Sequence, residues 1–131
     1  MNSNLPINFD DASTFIDLGW ELLYKDGRFE DAEQALQSAL ELDPGNVEAL
    51  MELANCYGLQ DREQDELRTL KEALENAKTD DELADVHFRL GLYYFGWEDE
   101  FQLQIELEVL RSLNPSSADL LQEIMERCGE E

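Results

Sequence analysis

Positively charged side chains are scarce in this 131-residue sequence. Nine lysines and arginines stand against 32 aspartates and glutamates, which gives a formal net charge of −23. Proteins that bind DNA, RNA or anionic lipid surfaces do so by neutralising phosphates with Lys and Arg. The composition therefore argues against nucleic acid and anionic membranes as partners. It leaves open whether the acidity reflects a high-salt source or the choice of a partner.

Long apolar runs are also missing. No run approaches the roughly 18 residues that a membrane span requires, so we expect no membrane insertion. The first residues, MNSNLPINFDD, have neither the basic start nor the apolar core of a signal peptide. These features predict a cytoplasmic protein, and a chain with 43% hydrophobic residues can form a core without disulfides.

Residues that carry chemistry are few. Cys56 and Cys128 lie far apart without metal-ligand spacing, which favours two unpaired thiols over a disulfide. His87 is the single histidine, and its place on a helix face favours a packed imidazole over a general base. No glycine-rich phosphate loop and no calcium loop occurs. We therefore expect no catalytic residue, no metal and no cofactor, and we predict that the chain is not an enzyme.

Apolar residues recur every three or four positions along almost the whole chain, which predicts an all-α fold of about seven helices. Gly27 is expected to end the first helix, and Asn46 is expected to cap the third. Three further pairs have the spacing of a helix start, namely Asp61 with Gln64, Thr79 with Glu82, and Ser116 with Asp119.

A pattern repeats three times across these helices. The segment ALELDPGN at 39–46 is echoed by LRSLNPSS at 110–117, and the small residues Gly19, Ala54 and Gly91 recur at intervals of 35 and 37. The first copy comprises Phe15, Leu18, Gly19, Leu22, Ala32, Leu36, Ala39 and Pro44. The second comprises Leu50, Leu53, Ala54, Tyr57, Glu66, Leu70 and Ala73, and the third comprises His87, Leu90, Gly91, Tyr94, Leu103, Leu107, Leu110 and Pro115.

These copies resemble the tetratricopeptide repeat family over residues 12–128. The resemblance implies a right-handed superhelical stack of helix-turn-helix pairs in one domain. The implied parts are a leader at 1–11, repeats at about 12–45, 46–80 and 81–115, a capping helix at 116–128 and an acidic tail at 129–131. The implied packing residues are Leu18, Gly19, Ala32, Pro44, Leu53, Ala54, Tyr57, Ala73, Leu90, Gly91, Tyr94 and Pro115.

The second copy departs from the family pattern at two positions. Glu66 stands where the pattern has alanine, and Lys78 stands where it has proline. The junction ENAKTDDE at 75–82 is therefore predicted to be the longest loop of the chain.

The resemblance also implies a concave groove lined by the first helix of each pair. Its predicted lining residues are Ile16, Trp20, Leu23, Met51, Asn55, Leu59, Phe88, Leu92 and Phe95. Because all but Asn55 are apolar and the chain is acidic, we expect a protein or peptide partner that presents an apolar or amphipathic segment with Lys or Arg. The predicted role is that of an adaptor or a chaperone-like binding module.

Several alternatives stay open from sequence alone. The same apolar face could serve a structural subunit or a self-associating oligomer, or it could belong in part to the core. The leader, with Leu5, Ile7 and Phe9, could fill the groove or lie on the surface. Some family members hold a partner's terminal carboxylate with Lys, Asn and Arg, but the predicted groove offers only Asn55 of these residue types.

Overall fold

The chain folds into α-helices joined by short connections, and the computed structural model describes residues 11–129. The helices are α1 (Ala12–Tyr24), α2 (Phe29–Leu42), α3 (Val47–Leu59), α4 (Glu63–Asn76), α5 (Asp80–Gly96), α6 (Glu100–Leu113) and α7 (Pro115–Cys128). No strand occurs within this range. The predicted all-α class is confirmed, while the leader residues Leu5, Ile7 and Phe9 lie outside the described residues.

The helices group into two compact units. The first ends at Asn76 and contains α1 to α4, whereas the second begins at Ala77 and contains α5 to α7. In the first unit α1 packs on α2, α3 packs on α4, and α3 also contacts both α1 and α2. In the second unit α5 packs on α6, and α7 contacts both of them. The division into three repeats within one domain stays a prediction.

Helix ends follow local capping chemistry, and two predicted caps are confirmed. The Asn46 side chain accepts a hydrogen bond from the Ala49 N–H at 2.9 Å and opens α3. Thr79 accepts from the Glu82 N–H at 3.1 Å, and the Glu82 carboxylate accepts from the backbone N–H of Lys78 at 2.8 Å. Gly27 takes a left-handed φ of +65°, as a residue just past a helix end often does.

Two predicted caps and one predicted loop are wrong. Asp61 has a φ of +59° and lies in the turn before α4, so it does not have the extended backbone of an N-cap residue. Asn114, rather than Ser116, caps α7, and Pro115 takes its first position. The ENAKTDDE junction contains the end of α4 and the start of α5, which leaves only residues 77–79 between them.

Most residues expected to pack the repeats are buried. The buried members are Gly19, Ala32, Leu53, Ala54, Tyr57, Ala73, Leu90, Gly91 and Tyr94. Leu18 is 40% exposed because the buried side of α1 is formed by Ile16, Gly19 and Leu23. Pro44 and Pro115 are exposed as well, since they lie in a turn and in the first turn of α7. These three residues therefore do not belong to the packed set.

The helices approach closely at two glycines. A Cβ built on Gly19 would lie 2.8 Å from Cγ of the buried Leu36 in α2. A Cβ built on Gly91 would lie 2.5 Å from Cδ2 of Leu121, whose side chain is fully buried. Carbon atoms in contact are normally about 3.5–4.0 Å apart. Each glycine therefore permits a helix contact that a larger residue would push apart.

Candidate functional site

A partly exposed surface of the first unit combines aromatic, apolar and amide side chains from α1 and α3. It comprises Trp20 and Tyr24 on α1 with Met51, Asn55 and Leu59 on α3, and we call it the α1–α3 face. Residues 51, 55 and 59 follow one another at intervals of four, so they lie on one side of α3. The same interval places Trp20 and Tyr24 on one side of α1.

Hydrogen bonds fix the aromatic part of this face. The Tyr24 hydroxyl donates to Glu52 Oε1 at 3.1 Å and accepts from the Asn55 side-chain amide at 2.8 Å. The Trp20 and Tyr24 rings lie 5.2 Å apart at a tilt of 53°, a separation typical of favourable aromatic pairs. Tyr24 is thus held between α1 and α3 while 44% of it stays exposed.

Two residues predicted to line the groove belong to the core. Ile16 is 4% exposed and Leu23 is 3% exposed. Leu23 packs in a cluster with Ala32 and Cys56, and Ile16 packs in another with Ala39. Ile16 and Leu23 are buried because they lie on the same side of α1 as Gly19, which faces α2. A partner cannot reach either side chain without disrupting the core.

The other predicted groove residues of the first unit remain accessible. Trp20 is 45% exposed, Leu59 is 53% exposed, and Met51 and Asn55 are partly buried. Tyr24, which the sequence interpretation passed over, lies beside them. The sequence feature that could have identified Tyr24 is its position four residues after Trp20, which places both side chains on one side of α1.

In the second unit the predicted residues Phe88, Leu92 and Phe95 lie on α5 and are all partly buried. Tyr93 forms a tilted ring pair with Trp97, with centroids 6.4 Å apart. Trp97 is 58% exposed, yet it was not among the predicted site residues.

The second unit also exposes large apolar side chains along α6. Phe101 is 74% exposed and Ile105, one turn later, is 40% exposed. The buried side of α6 is formed instead by Leu103, Leu107 and Leu110.

A pocket of about 370 Å³ opens beside the α1–α3 face. Tyr24, Asn55, Gly58, Leu59 and Glu66 line it. A Cβ built on Gly58 would lie 3.0 Å from the carbon and both oxygens of the Glu66 carboxylate. The glycine of α3 therefore makes room for the carboxylate of α4, and the pocket combines an aromatic ring, an aliphatic wall and a negative charge.

A charged cluster joins α2, α3 and α4. Arg62 donates to Glu33 and to Asp65, each at 3.0 Å, and its guanidinium lies 4.4 Å from the centre of the Tyr57 ring. Burial raises the pKa of the Tyr57 phenol, and the Glu33 carboxylate adds to the increase. This cluster joins three helices, so its role is structural.

His87 is packed in the second unit, as its helix position suggested. Its Nδ1 lies 2.6 Å from Oε1 of Glu106, and both side chains are largely buried. Burial raises the pKa of the nearby Tyr94 phenol, and Glu106 contributes to the same effect. The pair joins α5 to α6 inside the unit.

The remaining chemistry-bearing residues form no reactive cluster in the described part of the chain. Cys56 is buried and Cys128 is exposed, and both are free thiols. Burial raises the pKa of the Cys56 thiol, which makes it a weaker nucleophile near neutral pH. Within residues 11–129 no group of three His, Cys, Asp or Glu could hold a metal ion, and no helix is long and apolar enough to cross a membrane.

Paired helices in sequence order, buried small residues where the helices cross and an exposed face on two successive first helices define a helical repeat protein of the interaction type. The family follows from sequence, because the tetratricopeptide repeat pattern matches residues 23–90, just over half of the chain. The chain belongs to the tetratricopeptide repeat family. A search among curated proteins gave no significant match.

Solved structures share this fold. The first tetratricopeptide domain of Spaghetti (RPAP3), bound to the HSP90 peptide SRMEEVD, superposes with a TM-score of 0.73 at 14% identity and covers 95% of this chain and 98% of its own. Two structures of MamA give TM-scores of 0.66 and 0.68 at 24% identity and cover 87% of this chain. This chain spans 63% and 68% of those MamA chains.

Proposed function

We propose that this chain is a non-catalytic interaction module whose α1–α3 face binds an apolar or amphipathic, basic segment of a partner protein. The observation that carries the proposal is the exposure of Trp20, Tyr24 and Leu59 on one face beside the carboxylates of Glu52 and Glu66. An adaptor or chaperone-like role in the cytoplasm is consistent with such a face.

The size of the exposed surface sets the expected affinity. An aromatic side chain has about 150–250 Å² to bury, and roughly half of Trp20 and of Tyr24 is still exposed. With Leu59, about 300 Å² of surface is open to a partner, which corresponds to about 7 kcal/mol at ~25 cal/mol per Å². Ordering a peptide offsets part of this gain. A short peptide should therefore bind with a dissociation constant of roughly 10–100 µM.

The net charge of the chain determines which sign of charge a partner segment should carry. A chain of net charge −23 attracts cationic segments and speeds their association, and salt weakens this effect. The HSP90 peptide SRMEEVD, bound by the structurally similar domain, carries three acidic residues. We expect this peptide not to bind here, since the α1–α3 face offers Asn55 but neither Lys nor Arg.

Self-association through the same face is the alternative. Two copies would bring together a net charge of −46, twice the −23 of one chain, and this repulsion disfavours a dimer at low salt. Sedimentation or light scattering across protein and salt concentrations distinguishes the two roles. A monomer supports a partner segment, whereas a stable oligomer that buries Trp20 supports the structural role.

The direct test uses tryptophan fluorescence. In a Trp97→Phe variant, Trp20 is the only tryptophan, so its emission reports on the α1–α3 face alone. The probe is a 14-residue helical peptide with leucines every three or four positions and lysines elsewhere, and the control replaces each lysine with glutamate. We expect a saturable change with the lysine peptide and none with the glutamate peptide.

A matched pair of variants locates the site. Leu59→Ala should weaken binding of the lysine peptide at least threefold, because it removes an apolar contact from the face. Leu42→Ala removes a leucine of similar exposure, 44% against 53%, from α2 and should leave binding unchanged. Equal effects of the two variants, or no response of Trp20 to any peptide, would contradict the proposal.

A further inference from the structure

The α1–α2, α3–α4 and α5–α6 turns share one backbone form. In each turn the residue before the helix start takes a left-handed φ, namely +65° at Gly27, +59° at Asp61 and +57° at Glu98. The next residue starts the helix, because the carbonyl oxygens of Arg28, Arg62 and Asp99 accept from the N–H four residues ahead. The side chains of these turns can therefore be compared position by position.

The charge at the helix start is reversed in the α5–α6 turn. In the two turns of the first unit this position carries Arg28 or Arg62, and each arginine pairs with the aspartate three residues ahead. In the α5–α6 turn the same position carries Asp99, and its neighbours in sequence are Glu98 and Glu100. Three consecutive carboxylates thus replace a cation that the other turns contain.

Two positions of the same turn have changed from polar to aromatic. The residue before the left-handed position is polar in both turns of the first unit and is Trp97 here. The second residue after the helix start is also polar there and is Phe101 here. Trp97 is 58% exposed, although its ring contacts Tyr93, and Phe101 is 74% exposed. Packing within the fold therefore does not account for the change to aromatic residues.

Residues 97–101 form an aromatic and acidic surface, which we call the α5–α6 turn surface. Its two rings are four residues apart in sequence, so their Cα atoms lie within ~14 Å of each other. One short segment of a partner can therefore reach both. Ile105 is 40% exposed and follows Phe101 by one helical turn, which continues the apolar part along α6.

The carboxylates of this surface keep their charge. Asp99 accepts from the Gln102 N–H at 3.2 Å, and Glu100 accepts from the Gln104 side-chain amide at 3.1 Å. Both donors are neutral groups, so they orient these carboxylates without neutralising them. Glu98 is exposed and holds a left-handed backbone that favours glycine, so a glutamate is kept here at a cost in stability.

We propose that the α5–α6 turn surface is a docking site for a partner segment that carries Lys or Arg beside an apolar side chain. The carboxylates attract the cation, and the exposed ring of Trp97 offers it an aromatic face. Phe101 and Ile105 offer contact to the apolar side chain. This site lies in the second unit, and it does not rest on the function proposed for the α1–α3 face.

Charge complementarity favours a basic partner over the other candidate occupants. A second copy of the chain brings a further net charge of −23 to a surface that is itself acidic. Residues 1–10, MNSNLPINFD, contain an aspartate and neither Lys nor Arg, so they do not offer the cation. Only a partner of opposite charge satisfies both the aromatic and the acidic part of the surface.

The test follows the emission of Trp97, which is the only tryptophan in a Trp20→Phe variant of the full chain. The probe is a peptide of alternating arginine and leucine, about six residues long to match the span of the turn. It is titrated at a salt concentration of about 0.15 M, where the Debye length is ~8 Å. Two control peptides replace every arginine with citrulline or every leucine with alanine. We expect a saturable change with the probe, a weaker one with the alanine peptide and none with the citrulline peptide.

Variants assign the response to the α5–α6 turn surface. Glu98→Gln with Glu100→Gln removes two charges and should weaken binding about fivefold, as the loss of two exposed ion pairs does. The matched control, Asp26→Asn with Glu30→Gln, removes two charges from the α1–α2 turn and should leave binding unchanged. Phe101→Gln removes an exposed aromatic contact and should weaken binding about tenfold. All five residues are exposed, and circular dichroism checks that each variant keeps its helices.

Several outcomes would overturn the proposal. Equal responses to the arginine and citrulline peptides, or equal effects of the two double variants, indicate general apolar or charge attraction. Binding that survives Phe101→Gln unchanged also contradicts it. An oligomer that dissociates in Phe101→Gln assigns the surface to a second copy, and a Trp97 response to a peptide of residues 1–10 assigns it to the leader. None of these readouts involves Trp20, so the proposed function of the α1–α3 face is tested separately.

Discussion

Replacing Gly91 with alanine tests the closest helix approach in the second unit. The new methyl carbon would begin 2.5 Å from Cδ2 of Leu121, about 1 Å inside normal contact, and Leu121 is fully buried. Overpacking of this kind costs about 1–3 kcal/mol, and the better helix propensity of alanine returns about 1 kcal/mol. The net destabilisation should be about 1 kcal/mol.

The same helix provides the control. A Cβ on Gly96, the last residue of α5, would meet nothing within 4 Å. Gly96→Ala should therefore be neutral or stabilise the fold by up to about 1 kcal/mol. Urea unfolding followed by circular dichroism at 222 nm measures both variants.

A double-mutant cycle makes the test specific. Leu121→Ala alone should cost about 2–5 kcal/mol through the cavity that it leaves. In the double variant the methyl group on residue 91 enters that cavity, so the combined cost should be smaller than the sum by about 1–2 kcal/mol. Additivity within ~0.5 kcal/mol, or equal effects of Gly91→Ala and Gly96→Ala, would refute the close packing of α5 against α7.

Three further predictions follow from local contacts. Thr79→Ala should destabilise the fold by about 1 kcal/mol through loss of the α5 cap, while Thr79→Ser should be nearly neutral in thermal unfolding. His87→Leu leaves the buried Glu106 without its imidazole and should cost about 3 kcal/mol, most of which Glu106→Leu should restore in urea unfolding. Hydrogen bonds from Arg68 and, to a smaller extent, from Arg62 lower the pKa of Asp65 below its ordinary value of 3.8. The stabilisation that Asp65 contributes is therefore present above pH 3.8 and is lost as the pH falls through the lower pKa of the folded state. In Arg68→Gln, carboxyl NMR should show the pKa of Asp65 moving back towards 3.8.

Periodicity and capping chemistry predicted most of the fold, because both act within a few residues. Asn46 and Thr79 cap their helices as expected, since each can reach an N–H three residues ahead. Asp61 failed although it has the same spacing to Gln64, because the chain takes a left-handed turn at Asp61. The prediction at Ser116 is wrong because Asn114 with Pro115 makes a stronger helix start than Ser116 with Asp119.

The candidate site was predicted less well, because exposure depends on neighbouring helices. Ile16 and Leu23 share the apolar character of Trp20, and only the position of α2 separates core from surface on α1. The sequence identified Glu66 as a departure from the family pattern. It did not show that the Glu66 carboxylate lies against Gly58, because that contact joins α3 and α4.

Asn114 has a consequence for how the length of this chain can vary. It ends α6 through its N–H to Leu110 O at 2.7 Å, and it begins α7 through its side chain, which accepts from the Ser117 N–H. One residue therefore serves both helices, whereas four residues separate α1 from α2. Insertions should accumulate between α1 and α2 and be excluded at Asn114, because one added residue there would leave one of the two helix ends without its hydrogen bonds.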